Sequence, residues 1–432
     1  MKKVLVITYY WPPAGGGGVQ RWLKFSKYIR DGGWEPVIYT AEGGEMALQD
    51  DSLLEEVPEG TVVIKQPIWE PYYFYKKLTG KKKGEKVYSG FITEKKKAGP
   101  GQRLSIWIRG NFFIPDARKF WIKPSIKFLV KYLKDHKVDA ILSNGPPHSM
   151  HMIALGLKEK LGLPWLADFR DPWTNIDFYD QLMLSKRADR KHKRLEQKVL
   201  TTADKVVTVS WSWAEDFKKL CGREIEVITN GYDEADFEGG EPALSKSFSL
   251  THVGSLNKDR NPKSLWKVLE RICDSNPQFK EDLEIILIGP TDFEAINDIN
   301  QSGLESNLKL IDHLPHRAAI DKLRESQVLL LPINDTPNVS GVIPGKLYEY
   351  LGARRPILCI GPDKGDSARI IKETNAGKVA GFDDINEIQK ILLEYFVQYQ
   401  SKILNIGSYG IDKFSRKSLA VKMCEQLDKI SR

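Results

Sequence analysis

Short apolar runs alternate with amphipathic segments along these 432 residues, and the alternation starts over in mid-chain. Residues 2–8 form an apolar run of strand length, and residues 9–18 a loop with four consecutive glycines. In residues 19–31, Val19, Trp22, Leu23, Phe25 and Ile29 spread along a helix, and residues 34–40 are a second apolar run behind Gly32 and Gly33. Strand, glycine loop, helix and strand make the opening βαβ unit of a doubly wound parallel sheet. Further strand-like runs follow at 140–143, 164–167, 205–210 and 226–230. Residues 231–247 are acidic, rich in small residues and without period, and at 248–253 the pattern restarts. Runs at 283–289, 308–311, 328–332 and 357–360 continue it, and 414–430 reads as an amphipathic last helix. The expected fold class is α/β, with two Rossmann-like doubly wound domains. The expected boundaries are 1–230, a hinge at 231–247, 248–408, and a terminal helix in 409–432.

The glycine loop is not a dinucleotide fingerprint, because G-x-G-x-x-G aligned on Gly15 and Gly17 places Gln20 where the third glycine belongs. No G-K-[ST] follows, so it is not a P-loop either. Gly16 and Gly17 fit two readings: a turn that needs positive φ, or a backbone that approaches a ligand closely.

The net charge of +8 points to a polyanionic or membrane-surface partner. No nucleic-acid-binding module is recognisable, so nucleic acid is not expected. No apolar run reaches the roughly 20 residues of a membrane span, and the run at 4–8 is too short for a signal peptide and reads as a strand. The four cysteines are scattered, with no C-x-x-C, which fits a reducing cytoplasm. Residues 69–97 combine Trp69, Tyr72, Tyr73, Phe74 and Tyr75 with seven lysines between 81 and 97. A peripheral contact with an anionic membrane and a solvated insertion both fit that composition.

The most informative stretch is 338–362, NVSGVIPGKLYEYLGARRPILCIGP. Ser340 and Gly341 lie in a loop, Pro344 and Gly345 open a helix, and Leu347, Tyr350 and Leu351 give it an apolar face. Gly352 is placed to end it. The free N–H groups and the dipole of such a helix start suit a phosphate, and Lys346 adds a full charge. Glu349 can accept two ribose hydroxyls. A plain helix start, with a solvated lysine and a stabilising glutamate, fits the same residues.

Three other positions stand just beyond expected strand ends, where ligand groups collect in such folds. His148 in NGPPHS either contacts a substrate hydroxyl or phosphate, or caps a helix. Asp168, Arg170 and Asp171 in DFRDPW form either the acceptor side of a cleft or a salt-bridged corner. Arg260 and Lys263 in GSLNKDRNPKSL clamp a phosphate or stand in solvent.

The segment GVIPGKLYEYLGARRPIL resembles the donor-nucleotide segment of GT-B glycosyltransferases of the retaining family 4 type, and TNGYD and YYWPPAGGGGVQ support the resemblance. It implies that Glu349 holds the nucleotide ribose and that Ser340, Gly341, Gly345, Lys263, Gly16 and Gly17 line the donor. It implies His148, Arg260 and Lys346 at the reacting centre and the terminal helix crossing back to the first domain. Members of the family usually carry a second glutamate eight positions before the ribose-binding one, and here that position is Gly341. The absence of any D-x-D agrees with a metal-independent enzyme, and no cofactor is expected. The function implied is transfer of a hexosyl or N-acetylhexosaminyl group from a nucleotide sugar, UDP-linked in expectation, to a saccharide or lipid-linked acceptor. The setting implied is bacterial cell-surface polysaccharide synthesis, in the cytoplasm or on the inner face of the membrane. A non-catalytic partner subunit and a nucleotide-sugar epimerase of the same fold are the alternatives.

Overall fold

The computed structural model describes residues 1–46, 48–70, 100–240, 242–312, 314–405 and 407–431. Of the membrane contact expected at 69–97, only Trp69 and Glu70 fall within the described residues. The chain forms two compact units, Met1–Thr229 with Lys417–Arg432, and Asn230–Arg416.

The first unit is built on a parallel sheet of β1 (Lys2–Ile7), β2 (Trp34–Glu42), β3 (Val62–Pro67), β4 (Ala140–Gly145), β5 (Trp165–Phe169), β6 (Lys205–Thr208) and β7 (Glu226–Val227). The order is β3-β2-β1-β4-β5-β6-β7. Its helices are α1 (Gly17–Tyr28), α2 (Pro100–Phe112), α3 (Lys119–Asp135), α4 (Ser149–Leu161), α5 (Lys186–Thr202) and α6 (Trp211–Cys221). Val4, Leu5, Val6 and Ile7 are all fully buried, as a parallel strand covered on both faces requires. Ile7 stands level with Tyr39 of β2 and Ser143 of β4, so the loops after β1 and β4 open side by side where the strand order reverses.

The second unit repeats the plan with β8 (Phe248–Val253), β9 (Leu283–Ile288), β10 (Leu308–Ile311), β11 (Val328–Pro332), β12 (Ile357–Ile360) and β13 (Gly377–Ala380), ordered β10-β9-β8-β11-β12-β13 and all parallel. Its helices are α7 (Lys263–Ser275), α8 (Pro277–Asp282), α9 (Phe293–Gln301), α10 (His316–Glu325), α11 (Gly345–Ala353), α12 (Asp366–Glu373) and α13 (Ile385–Gln400). Helix α14 (Arg416–Ile430) then returns to the first unit. There its Leu419, Ala420, Met423 and Leu427 join Val4, Val6, Trp22, Phe25 and Ile29 in one core. Each such buried side chain is worth about 1.5–3 kcal/mol over its exposed state.

Three features differ from the sequence expectation. Helix α11 does not stop at Gly352 but runs to Ala353, and Arg354 takes the left-handed turn at φ 55°. Gly352 serves packing instead, because a Cβ there would come within 2.4 Å of the Phe237 ring. Helices α8 and α9 occupy stretches to which the sequence pattern assigns no element. They span six and nine residues, too few to print a period, and are set by Asn276 and Asp292, whose side chains accept the N–H of Phe279 and Glu294. Within 231–247, Glu234–Phe237 is an ordered 3-10 turn. Among the described residues no helix is long and apolar enough to cross a membrane.

Candidate active site

In the first unit, the reversal point is held by a buried ion pair. Arg21 on α1 grips Asp168 at the end of β5 with two bonds, Nε to Oδ2 at 2.9 Å and Nη2 to Oδ1 at 3.0 Å. Trp22 Nε1 donates to the same carboxylate at 2.9 Å. The guanidinium also donates to the carbonyls of Ile228 and Thr229, at 2.9 and 2.8 Å. Both partners are buried, so the bidentate geometry and the extra bonds are what make this pair tolerable in the interior. Asp168 thus joins α1, β5 and the segment after β7. Its neighbour Arg170 spans two loops, donating to Gly18 O at 3.0 Å and Pro146 O at 2.9 Å. The glycine loop is thereby fixed against the loop after β4. Gly16, at φ 84°, precedes the first residue of α1, Gly17, and a side chain at either would meet nothing within 4 Å.

His148 sits just before α4 with its ring flat on Trp173, centroids 4.6 Å apart and planes 2° apart. Its Nδ1 is buried and has no hydrogen-bond partner among the described residues. Burial above all, then His151, His192 and Arg170, holds its pKa well below the ordinary imidazole value, so the ring is neutral. His151 behind it is also buried, and its pKa is pushed down to about 3. Trp173 is itself clamped. Its Nε1 donates to His192 Nδ1 at 3.0 Å, and its backbone N–H to Glu196 at 3.2 Å. A cavity of about 270 Å³ opens here, lined by Tyr10, Arg109, His148, Asp171, Trp173 and Phe178 among others. Burial raises the pKa of Asp171, with Arg170 opposing the shift and Asp177 adding to it. A neutral histidine stacked on an indole, with aromatic walls and an arginine, suits a sugar ring and its hydroxyls.

In the second unit, the reversal point carries cations instead. His252 near the end of β8 has Nδ1 3.0 Å from the carbonyl of Leu330 on β11. A carbonyl only accepts, so Nδ1 holds the hydrogen and Nε2 presents a lone pair. Lys346, in the first turn of α11, donates to that Nε2 at 3.1 Å. Gly254 makes room, since at φ 103° a Cβ would lie 3.0 Å from Lys346 Nζ. Arg260 is anchored by Nε to Asn334 Oδ1 at 2.8 Å and Nη1 to Ser255 O at 3.1 Å. Neither cation has an ion-pair partner among the described residues. Burial, then repulsion from Arg260, lowers the pKa of Lys346 far below that of a free lysine, while Glu349 opposes the shift. Glu349, one turn along α11, has its pKa raised, first by burial and also by Asp236, against the pull of His316, Lys346 and Arg416.

Of the other expected donor residues, Gly345 is the exposed first residue of α11, Ser340 is exposed, and Gly341 is buried in the Val339–Gly341 turn. Lys263 is drawn away, with its ammonium 2.7 Å from Glu294 and 3.5 Å from Asp298. A larger cavity of about 1100 Å³ lies at the other end of α11, lined by Gly352, Ala353, Arg354 and Arg355. Arg324 and Lys402 also line it. That end of the helix presents carbonyls, whereas the free N–H groups that suit an anion lie at its N-terminal end.

Sequence reasoning passed over Arg21, His252, His192 and Glu196. His252, a polar residue inside an apolar strand, was the one visible signal. The others depend on partners far away in the chain.

Solved structures place this fold in a class. Sucrose-phosphate synthase from Thermosynechococcus elongatus superposes with a TM-score of 0.63 at 12% identity, over 99% of both chains. HepE of Anabaena, solved with UDP-glucose, gives 0.57 at 14% identity, over 99% of both chains. WaaG, a glycosyltransferase of lipopolysaccharide biosynthesis, gives 0.53 at 13% identity, over 99% of this chain and 96% of its own. The fold is that of the GT-B glycosyltransferases. Within that class, residues 90–236 match the family model Glycosyltransferase Family 4. No curated protein sequence matches the chain.

Proposed function

We propose that the chain is a retaining glycosyltransferase that moves a hexosyl or N-acetylhexosaminyl group from a UDP-linked sugar to a hydroxyl of a saccharide or lipid-linked acceptor. The observation that carries this reading is the helix start of α11 with Lys346 and Arg260 beside it, two cations that form no ion pair among the described residues. A diphosphate would pair with both, and in this reading Glu349 one turn on accepts two ribose hydroxyls. As the bond from sugar C1 to the diphosphate breaks, negative charge grows on the leaving phosphate, where Arg260, Lys346 and the helix dipole stabilise it. The acceptor oxygen bonds to C1 on the same face, and its proton passes to the leaving phosphate, so no protein nucleophile is required. The first unit binds the acceptor in the cavity beside His148, whose neutral ring orients a hydroxyl without charging. These two cations do the electrostatic work that a metal ion does elsewhere, so turnover is expected without Mg²⁺. HepE, with UDP-glucose bound, supports the choice of donor class. Bacterial cell-surface polysaccharide synthesis, on the cytoplasmic face of the membrane and with contact through 69–97, is the setting this reading favours.

One observation supports a second reading. Gly341 is buried where family members usually carry a glutamate, which fits a non-catalytic partner subunit. Thermal stability against UDP-, GDP-, ADP- and TDP-sugars, with and without Mg²⁺, separates the two when followed by turnover with candidate acceptors. A ligand at 100 times its Kd stabilises by about 2.7 kcal/mol. A metal-independent shift with the UDP series and turnover is expected. The Glu349→Ala variant should lose most of that shift while folding normally, and unchanged nucleotide affinity would sink the assignment. Binding without turnover on any acceptor would favour the partner subunit.

A further inference from the structure

We propose that the outward face of α2 and α3 docks onto an anionic lipid bilayer. The proposal rests on the membrane-contact reading above but moves the contact onto described residues outside 71–99. Phe112 and Trp69 leave 58% and 56% of their surface in solvent, and Phe120, Trp107 and Phe128 are also exposed. These rings are not scattered. Trp69 meets Phe120 edge-on at 5.0 Å, Phe120 meets Phe113 at 6.0 Å, and Phe112 meets Trp107 at 5.7 Å. Lys119 joins the Trp69–Phe120–Phe113 group to the Phe112–Trp107 pair, with its ammonium over the Phe113 and Phe120 rings and donating to the Phe112 carbonyl. One strip of aromatic surface therefore runs from Trp69 to Trp107.

Charge accompanies the rings. Helix α3 buries Trp121, Ser125, Leu129 and Leu133. Its other side exposes Phe120, Lys123, Lys127, Phe128, Lys131 and Lys134. Those four lysines make no ion pair among the described residues, whereas surface lysines elsewhere in this unit find carboxylates, as Lys158 does with Asp204 and Lys198 with Glu159. Between residues 100 and 134 Asp116 is the only acidic residue, and its carboxylate is spent on the N–H and hydroxyl of Ser149. Asp135, exposed at the last position of α3, is the one carboxylate at the end of this face and forms no ion pair with its lysines among the described residues. Lysines and exposed aromatic rings in excess over a single carboxylate match a headgroup region in which rings sit at the interface and lysines reach phosphate. A protein partner would be expected to bring alternating charges, and a second copy of this chain would bring the same positive face.

The test is sedimentation of the full chain with lipid vesicles. Phosphatidylcholine vesicles are compared with vesicles containing phosphatidylglycerol at about a third of the lipid. Each lysine near such a surface contributes about a fivefold factor in binding. Wild type should sediment with the anionic vesicles only. The Lys123→Glu/Lys127→Glu/Lys131→Glu variant should bind at least about 100-fold more weakly. The Phe112→Ser/Phe120→Ser variant should bind about tenfold more weakly and be released at lower salt. A far-ultraviolet spectrum and the nucleotide-induced melting shift, both expected to match wild type, show that the variants are folded and keep the donor site. Undiminished binding by both variants overturns this face while leaving membrane contact through 71–99 standing. No binding of wild type to either vesicle overturns both. Dimerisation of wild type that the Phe variant abolishes, without vesicle binding, assigns the face to a second copy instead.

Discussion

The two units repeat one sheet plan and treat charge at the reversal point in opposite ways. In the first, Arg21 is buried and fully spent, with a carboxylate on two of its nitrogens and two carbonyls beyond. In the second, Lys346 and Arg260 stand close enough to repel each other, and among the described residues they hydrogen-bond to neutral acceptors, with Glu349 acting on Lys346 only through space. One arrangement locks a scaffold, and in the function proposed above the other meets the diphosphate of a donor. The same topology does not distinguish the two units as phosphate binders, and the proposal for the second unit rests on the difference in counter-charge.

The contrast is most exposed to test at Asp168. Asp168→Asn leaves Arg21 buried without its counter-ion, and the protein should lose about 3–5 kcal/mol of stability in denaturant titration. A loss below about 1 kcal/mol would mean that the pair is not the lock described here. Lys346→Met should behave in the opposite sense. Removing a desolvated, unpaired cation should leave stability unchanged or higher, while affinity for a nucleoside diphosphate falls by about 10- to 100-fold, the worth of one charged hydrogen bond. Calorimetry on both proteins reads the two effects separately.

The smallest expected effect is a pH dependence at Glu349. Its pKa is raised in the folded protein, so the folded state holds the proton more tightly than the unfolded chain does. The stability this contributes is full below the ordinary carboxylate pKa and is lost as pH rises through the raised value. In the proposed function ribose binding runs the other way, because the ionised carboxylate is the stronger acceptor of two hydroxyls. Nucleotide affinity should therefore fall as pH drops through that same window. Glu349→Gln should flatten both profiles and weaken binding by about 3- to 10-fold at neutral pH. A wild-type affinity that does not change with pH across the window would remove Glu349 from the donor site.

The sheets were legible because buried parallel strands print continuous apolar runs, as residues 4–7 and 328–331 do. Helix α11 was legible from Leu347, Tyr350 and Leu351. Its end was not, because Gly352 answers to the Phe237 ring rather than to the helix terminus, and only the fold brings that ring there. The Arg21–Asp168 pair joins residues 147 positions apart, and nothing in either local pattern announces it. The diversion of Lys263 to Glu294 is equally silent, since an exposed lysine gives no sign of the acid it will meet. Local sequence thus carries the period and the loop positions. Which charges are spent and which are left over is settled by residues far away in the chain.

Helix α14 gives this chain an order of assembly. During synthesis the second unit, one continuous stretch from Asn230 to Arg416, emerges complete before Leu419, Ala420, Met423 and Leu427 leave the ribosome. Until then the first unit, though made earlier, has an uncovered apolar groove alongside α1. The part of the protein translated first is the part that finishes last, and in that interval its open core is the surface for a chaperone to shield.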